Sequence, residues 1–91
     1  MAKRTFLLIE TAVSKVQETV SALKQIEGVK LAERVTGLYD VIAVLEGEDL
    51  IAVGDLEARI VKLIPHISKL ISCISISWPY ENTIPSLALR K

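Results

Sequence analysis

The chain has 91 residues, 51% of them hydrophobic, with 11 basic and 11 acidic side chains and no formal net charge at pH 7. That length makes one domain, and the balanced charge excludes long-range steering toward nucleic acid or anionic lipid. A domain this small hides only about 60–65% of its unfolded surface on folding, so part of its apolar content is expected to meet another subunit. The single cysteine, Cys73, excludes an internal disulfide and any CxxC motif. Met1-Ala2-Lys3-Arg4 precedes an apolar run, Thr5 to Ile9, that Glu10 ends too early for a signal peptide. Nothing approaches the roughly 20 apolar residues of a membrane span, and the cytoplasm is the expected location.

Phe6-Leu7-Leu8-Ile9 is apolar on both alternating faces and predicts a central strand covered on both sides. Thr11 is a candidate N-cap for an amphipathic helix whose apolar positions are Val13, Val16, Val20 and Leu23. Gly28 suits the stop, because glycine accepts the left-handed conformation at a helix C-terminus. Val29, Leu31 and Val35 alternate with Lys30 and Arg34 in a half-exposed strand. Glu33 falls on its apolar face, so either a bulge turns it outward or it meets something polar. Thr36-Gly37-Leu38-Tyr39-Asp40 forms a hairpin, and Val41 to Leu45 is a second strand apolar on both faces.

Glu46, Glu48 and Asp49 precede a second helix, where acidic groups suit the positive end of the dipole. Leu50, Val53, Leu56, Ile60, Leu63 and Ile64 make its apolar stripe. Gly54 lies in this helix and costs up to about 1 kcal/mol against alanine, so close packing on a neighbouring backbone is expected. Pro65 ends the helix, and Ile67 to Trp78 is β-rich up to Pro79. Residues 1–78 therefore read as one domain. Residues 79–91 form a tail whose apolar side chains are expected to pack on a neighbouring subunit.

Strand, helix, strand, strand, helix, strand is the ferredoxin-like βαββαβ order. The fold class is α+β: a four-stranded antiparallel sheet with two helices on one face. The first and third strands lie at the centre of such a sheet, and these are the two that read apolar on both faces. One apolar set must then point away from the helices. A second copy, sheet facing sheet, is the natural cover, which predicts at least a homodimer.

Little in the chain suggests catalysis or metal binding. There is one histidine and one cysteine, and no HExxH, CxxC or EF-hand spacing. No glycine-rich phosphate loop occurs. His66 reads as an ordinary loop residue, and Cys73 as a small packed residue. Glu57 reads as reaching solvent past the edge of its helix stripe. No metal site and no cofactor is expected. The hairpin leaves two readings open. In one, Gly37, Tyr39 and Asp40 only build the turn. In the other they form a polar notch at a subunit edge, with glycine-turn N–H groups for a carboxylate and Asp40 for an ammonium.

The stretch Thr36-Gly37-Leu38-Tyr39-Asp40 running into Val41 to Leu45, the element order, and Leu63-Ile64-Pro65 entering the last strand together resemble the effector-binding (RAM-type) domain of the Lrp/AsnC regulators. The resemblance covers Thr5 to Ile76. It implies sheet-to-sheet dimers that assemble into rings, often octamers. It also implies a small effector, usually an amino acid, bound between dimers near the hairpin and last strand. By position, Gly37, Tyr39, Asp40 and Ser72 would be the ligand-binding residues. Two threonines common in the family's last strand are Leu70 and Ser72 here, and a glycine common after the helix-end proline is His66.

The resemblance further implies a stand-alone sensing and assembly module in transcriptional regulation. The helix-turn-helix of full-length members is absent, so no direct nucleic-acid contact is expected, while mixed assembly with full-length regulators is. The alternatives are an ACT-like amino-acid-binding domain and a dimeric α/β-barrel enzyme. The enzyme is the poorer fit, since the chain offers one histidine and one tryptophan far apart in sequence.

Overall fold

The computed structural model describes residues 2–76. Strand β1 (Lys3–Thr11) leads through a 3₁₀ turn (Val13–Lys15) into α1 (Val16–Lys24). Strands β2 (Val29–Arg34) and β3 (Val41–Gly47), helix α2 (Leu50–Leu63) and strand β4 (Ile67–Ile74) follow. All neighbours are antiparallel in the order β2-β3-β1-β4. This is the ferredoxin-like α+β fold, and the two strands apolar on both faces are its central pair. Trp78, Pro79 and the tail 79–91 lie outside the described residues.

Alternation divides the sheet cleanly. Leu7, Ile9, Val41, Ala43 and Leu45 face the helices and are fully buried. They meet Val16, Val20 and Leu23 of α1 and Leu56, Ile60 and Ile64 of α2 in one core. The partners of β1 on the other face are Phe6 with Val44 and Leu8 with Ile42. No helix covers that face: Phe6 stays 37% exposed and Leu31 43%.

Three local expectations are corrected, and a fourth, the bulge offered for Glu33, is found. Thr11 does not cap a helix; it is the last residue of β1, and its hydroxyl donates to the His66 carbonyl at 3.0 Å. Pairing with β4 as far as Ile67 holds it extended, so the α-helix starts five residues later and Val13 stays exposed. The register between β2 and β3 shifts between Val29 and Leu31. That bulge leaves Val29 opposite Leu45 on the helix side but sends Leu31 and Glu33 to the open face, opposite Val44 and Ile42. The buried stripe of α2 is narrower than its sequence suggests: Val53, Leu56 and Ile60 are buried, while Leu50 and Leu63 are exposed. Nothing lies within 4 Å of a Cβ built on Gly54, so the close packing expected there is not found among the described residues.

Asp49 caps α2, its carboxylate accepting the Ala52 N–H at 2.8 Å. Gly28, between α1 and β2, has φ +101°, and a Cβ there would stand 2.6 Å from Leu56 Cδ2. Gly37 has φ +132° in open space. Gly37→Ala therefore meets only backbone strain, about 1 kcal/mol. Gly28→Ala meets the same strain plus a clash inside the core, and its cost is expected to be at least twice as large. Urea unfolding of the two variants checks the ranking.

Candidate functional site

The hairpin occupies residues 35–40, between β2 and β3. Its base is closed by the Val35 N–H donating to the Asp40 carbonyl at 2.9 Å. The Asp40 N–H donates to the Ile9 carbonyl at 2.9 Å, which ties the hairpin to the end of β1. Gly37 supplies the positive φ that lets the loop reverse. Leu38 projects into solvent at the tip, while Tyr39 and Asp40 are half-buried at the root.

Asp40 is also held by its side chain. One carboxylate oxygen, Oδ2, accepts the Thr11 N–H at 3.0 Å. The other makes no hydrogen bond among the described residues. One oxygen of the carboxylate thus builds the corner, and the other is uncommitted among the described residues.

Thr11 extends the connection. Its hydroxyl reaches the His66 carbonyl, and His66 Nε2 lies 2.8 Å from the Thr19 hydroxyl on α1. Thr19 is fully buried, and its own hydrogen goes to the Lys15 carbonyl at 2.8 Å. A hydroxyl has one hydrogen to give, so His66 must donate from Nε2. His66 is therefore a half-buried tie between α1 and the α2–β4 loop, where its sequence position suggested a surface residue. Neither Thr11 nor Thr19 gave a signal in the sequence beyond its hydroxyl.

Ser72 stands apart from the hairpin within the protomer. It lies on β4, two strands from β3, opposite Leu7 on the helix side of the sheet. Its hydroxyl donates to the Glu57 carboxylate of α2, so Glu57 meets β4 as well as solvent. Gly37, Tyr39 and Asp40 are together, and Ser72 could join them only from another subunit. Cys73 is exposed opposite Phe6 on the open face, not packed. No group of three potential metal ligands occurs among the described residues. No described helix is long and apolar enough to cross a membrane. A depression of about 420 Å³ lies at the far end of the sheet from the hairpin, where Gly28, Gly47 and Leu56 meet Lys30, Glu48 and Arg59. It shares no residue with the predicted site.

No family model and no curated protein matches the sequence. Solved structures do match the fold. A hypothetical protein from Pyrococcus horikoshii superposes with TM-score 0.76 at 29% identity, over 84% of this chain and 90% of that one. The protein FFRP-DM1 superposes with TM-score 0.75 at 28% identity, over 81% of this chain and 99% of that one. AsnC of E. coli gives TM-score 0.77 at 17% identity over 85% of this chain, which spans about half (52%) of AsnC. The chain has the fold of the RAM-type domain of the Lrp/AsnC regulators. A further match, at TM-score 0.69 and 21% identity, is a feast or famine regulatory protein from M. tuberculosis complexed with L-methionine; the overlap is 81% of this chain and 50% of that one.

The corner geometry carries a prediction. A hydrogen bond to a charged acceptor is worth about 1.5–3 kcal/mol. Asp40→Ala leaves the Thr11 N–H without this acceptor and should lower unfolding free energy by about 2 kcal/mol. Asp40→Asn keeps an acceptor oxygen and should lose less than half of that. Equilibrium denaturation of the pair checks it.

Proposed function

We propose that this domain is an amino-acid-binding, oligomerising module of the feast/famine regulatory type. The observation that carries the reading is the Asp40 carboxylate: one oxygen is fixed by the Thr11 N–H, and the other is uncommitted beside Gly37 and Tyr39. A carboxylate fixed in this way is pre-organised for an ammonium group. The glycine turn, with no Cβ at Gly37, lets a ligand carboxylate approach backbone N–H groups. The methionine complex of a protein with this fold supports an amino acid as the ligand class.

The second half of the reading is assembly. On the open face Leu31, Val44, Phe6 and Cys73 form one row, and Ile42, Leu8 and Ile71 another. Charges rim this patch: Arg4 pairs with Glu46 at 3.1 Å at one end, and Glu10 stands opposite Lys69 at the other. An apolar centre with a polar rim is the anatomy of a protein interface. The patch is self-complementary in a two-fold dimer, since each row of one sheet can face the other copy's rows. Ser72 of a neighbouring dimer would then complete the ligand site in a higher ring.

The proposal assigns no catalytic residue. A thiol nucleophile needs a base within hydrogen-bond reach. His66 is committed to Thr19, and Cys73 lies seven residues further along, about 20 Å away at strand rise.

Thermal melting against amino acids at millimolar concentration tests the ligand. A ligand at a hundred times its Kd stabilises by about 2.7 kcal/mol, a shift on the order of 10 °C for a domain this size. Methionine or another amino acid should raise Tm selectively, and Asp40→Asn should abolish that rise while lowering the unliganded Tm by only about a few degrees. A rise that survives in Asp40→Asn would remove Asp40 from the site. For assembly, Phe6→Glu puts a charge at the centre of the open face and should convert the dimer to a folded monomer in light scattering. A wild-type chain that is monomeric at micromolar concentration would refute the dimer.

A further inference from the structure

Helix α2 has an outer face that no described residue covers. Val53, Leu56 and Ile60 point into the core. Ile51, Gly54, Ala58 and Val61 follow one another at spacings of three and four, so they share one stripe on the opposite side. All four are exposed, Ile51 at 75% and Val61 at 53%. Leu50, 51% exposed, widens the stripe at one flank. Nothing lies within 4 Å of a Cβ built on Gly54. A glycine weakens a helix interior, and no described residue uses the room it leaves.

Charge is divided along the length of this face. The exposed acids Glu48 and Asp55 lie toward its N-terminal end, and the exposed bases Arg59 and Lys62 toward its C-terminal end. None of the four makes a hydrogen bond or an ion pair among the described residues, although Asp55 and Arg59 are one turn apart. Glu57, on the other flank, is taken by Ser72. An apolar stripe with acid toward one end and base toward the other is complementary to itself turned end for end.

We propose that this face is a second interface between copies of the chain, in which two α2 helices pack antiparallel about a two-fold axis level with Leu56. Ile51 of each copy then meets Val61 of the other, and Gly54 meets Ala58, where the missing side chain lets the helices approach. Arg59 of one copy comes within about 3 Å of the level of Asp55 of the other, at a rise of 1.5 Å per residue. Lys62 comes level with the end that carries Glu48. Both lie on the same flank, because a two-fold axis across the pair keeps each flank on its own side. The helix dipoles oppose each other as well. This charge pattern selects a second copy as the occupant. The open face lies across the sheet from α2, so the contact is independent of the proposed sheet dimer and would join one such dimer to the next. The 14-residue helix is about 21 Å long, and one such pair buries less than the roughly 1,200 Å² of a specific stable complex. The contact is therefore weak alone and forms well above micromolar concentration.

Sedimentation equilibrium from micromolar to millimolar concentration tests this, with Phe6→Glu removing the open-face contact. Phe6→Glu should be a monomer at the low end and a dimer at the high end. The wild type should grow beyond the unit it forms at the low end. Asp55→Lys and Arg59→Glu, each added to Phe6→Glu, should weaken the association by about tenfold or more, with the circular dichroism spectrum unchanged. An equimolar mixture of the two should recover it, since each reversed charge then faces the other and the native Asp55 and Arg59 still pair. Gly54→Leu, which fills the gap, should weaken it too, and Val13→Asp on the 3₁₀ turn should leave it as it is. Should Phe6→Glu fail to fold, the same substitutions are read in the wild type as loss and recovery of growth beyond that unit. A wild type that is monomeric at the low end but still dimerises at the high end with this pattern would refute the sheet dimer and leave the helix pair standing. A chain that does not associate at millimolar concentration, association indifferent to both charge reversals, or a mixture that fails to recover would overturn the proposal.

Discussion

The pairing of β1 with β3 is the constraint on which the rest depends. Both strands are apolar at every position from Phe6 to Ile9 and from Val41 to Leu45. Side chains alternate across a strand, so their pairing commits apolar side chains to both faces of the sheet at once. One face recruits α1 and α2 and becomes the core. The other cannot be served by the same two helices. Removal of apolar area is worth about 25 cal/mol per Å², and the stability of a small domain is slight. An uncovered central face is therefore both a cost to the free protomer and the driving force for the proposed dimer.

A second, polar joint sits at the end of that pair. Thr11 is the last residue of β1, and it is bonded through its N–H to Asp40 and through its hydroxyl to His66. One residue thus links the hairpin, the α2–β4 loop and, through His66 and Thr19, helix α1. The consequence for the proposed ligand site is orientation. The Asp40 carboxylate cannot rotate freely, because one oxygen is fixed to a backbone group that is itself part of the sheet. A fixed carboxylate loses less entropy when it takes an ammonium than one on a free side chain would. The turn-building reading and the ligand-binding reading of Asp40 are therefore complementary.

Strand order and core were legible because they follow from period-2 alternation and from apolar residues at helical spacing, which are local signals. The central place of β1 and β3 followed from their lack of a polar face. What escaped the sequence is non-local. Thr11 has the chemistry of an N-cap, but Asp40, 29 residues away, takes its N–H and keeps it in the strand. Glu33 announced a bulge, yet only pairing with β3 shows that Lys30 is where the register slips and that Leu31 travels to the open face with it. Gly54 sits within the apolar helix as though packed, but the backbone it would pack against is not among the described residues. His66 in a post-proline loop gives no hint of Thr19, 47 residues earlier. For the candidate site, the cluster of Gly37, Tyr39 and Asp40 was visible because it is contiguous. The separation of Ser72 from it within the protomer follows from that same strand order.

The shape of the uncovered apolar face selects its proposed occupant. The open face is a sheet, broad and only gently twisted, with charges at its ends. A surface of that form is matched by another of its kind, and stacked sheets settle about 10 Å apart with their side chains interleaved. Assigning that flat face to a second copy leaves the hairpin edge, where Asp40 lies, free to meet the next dimer.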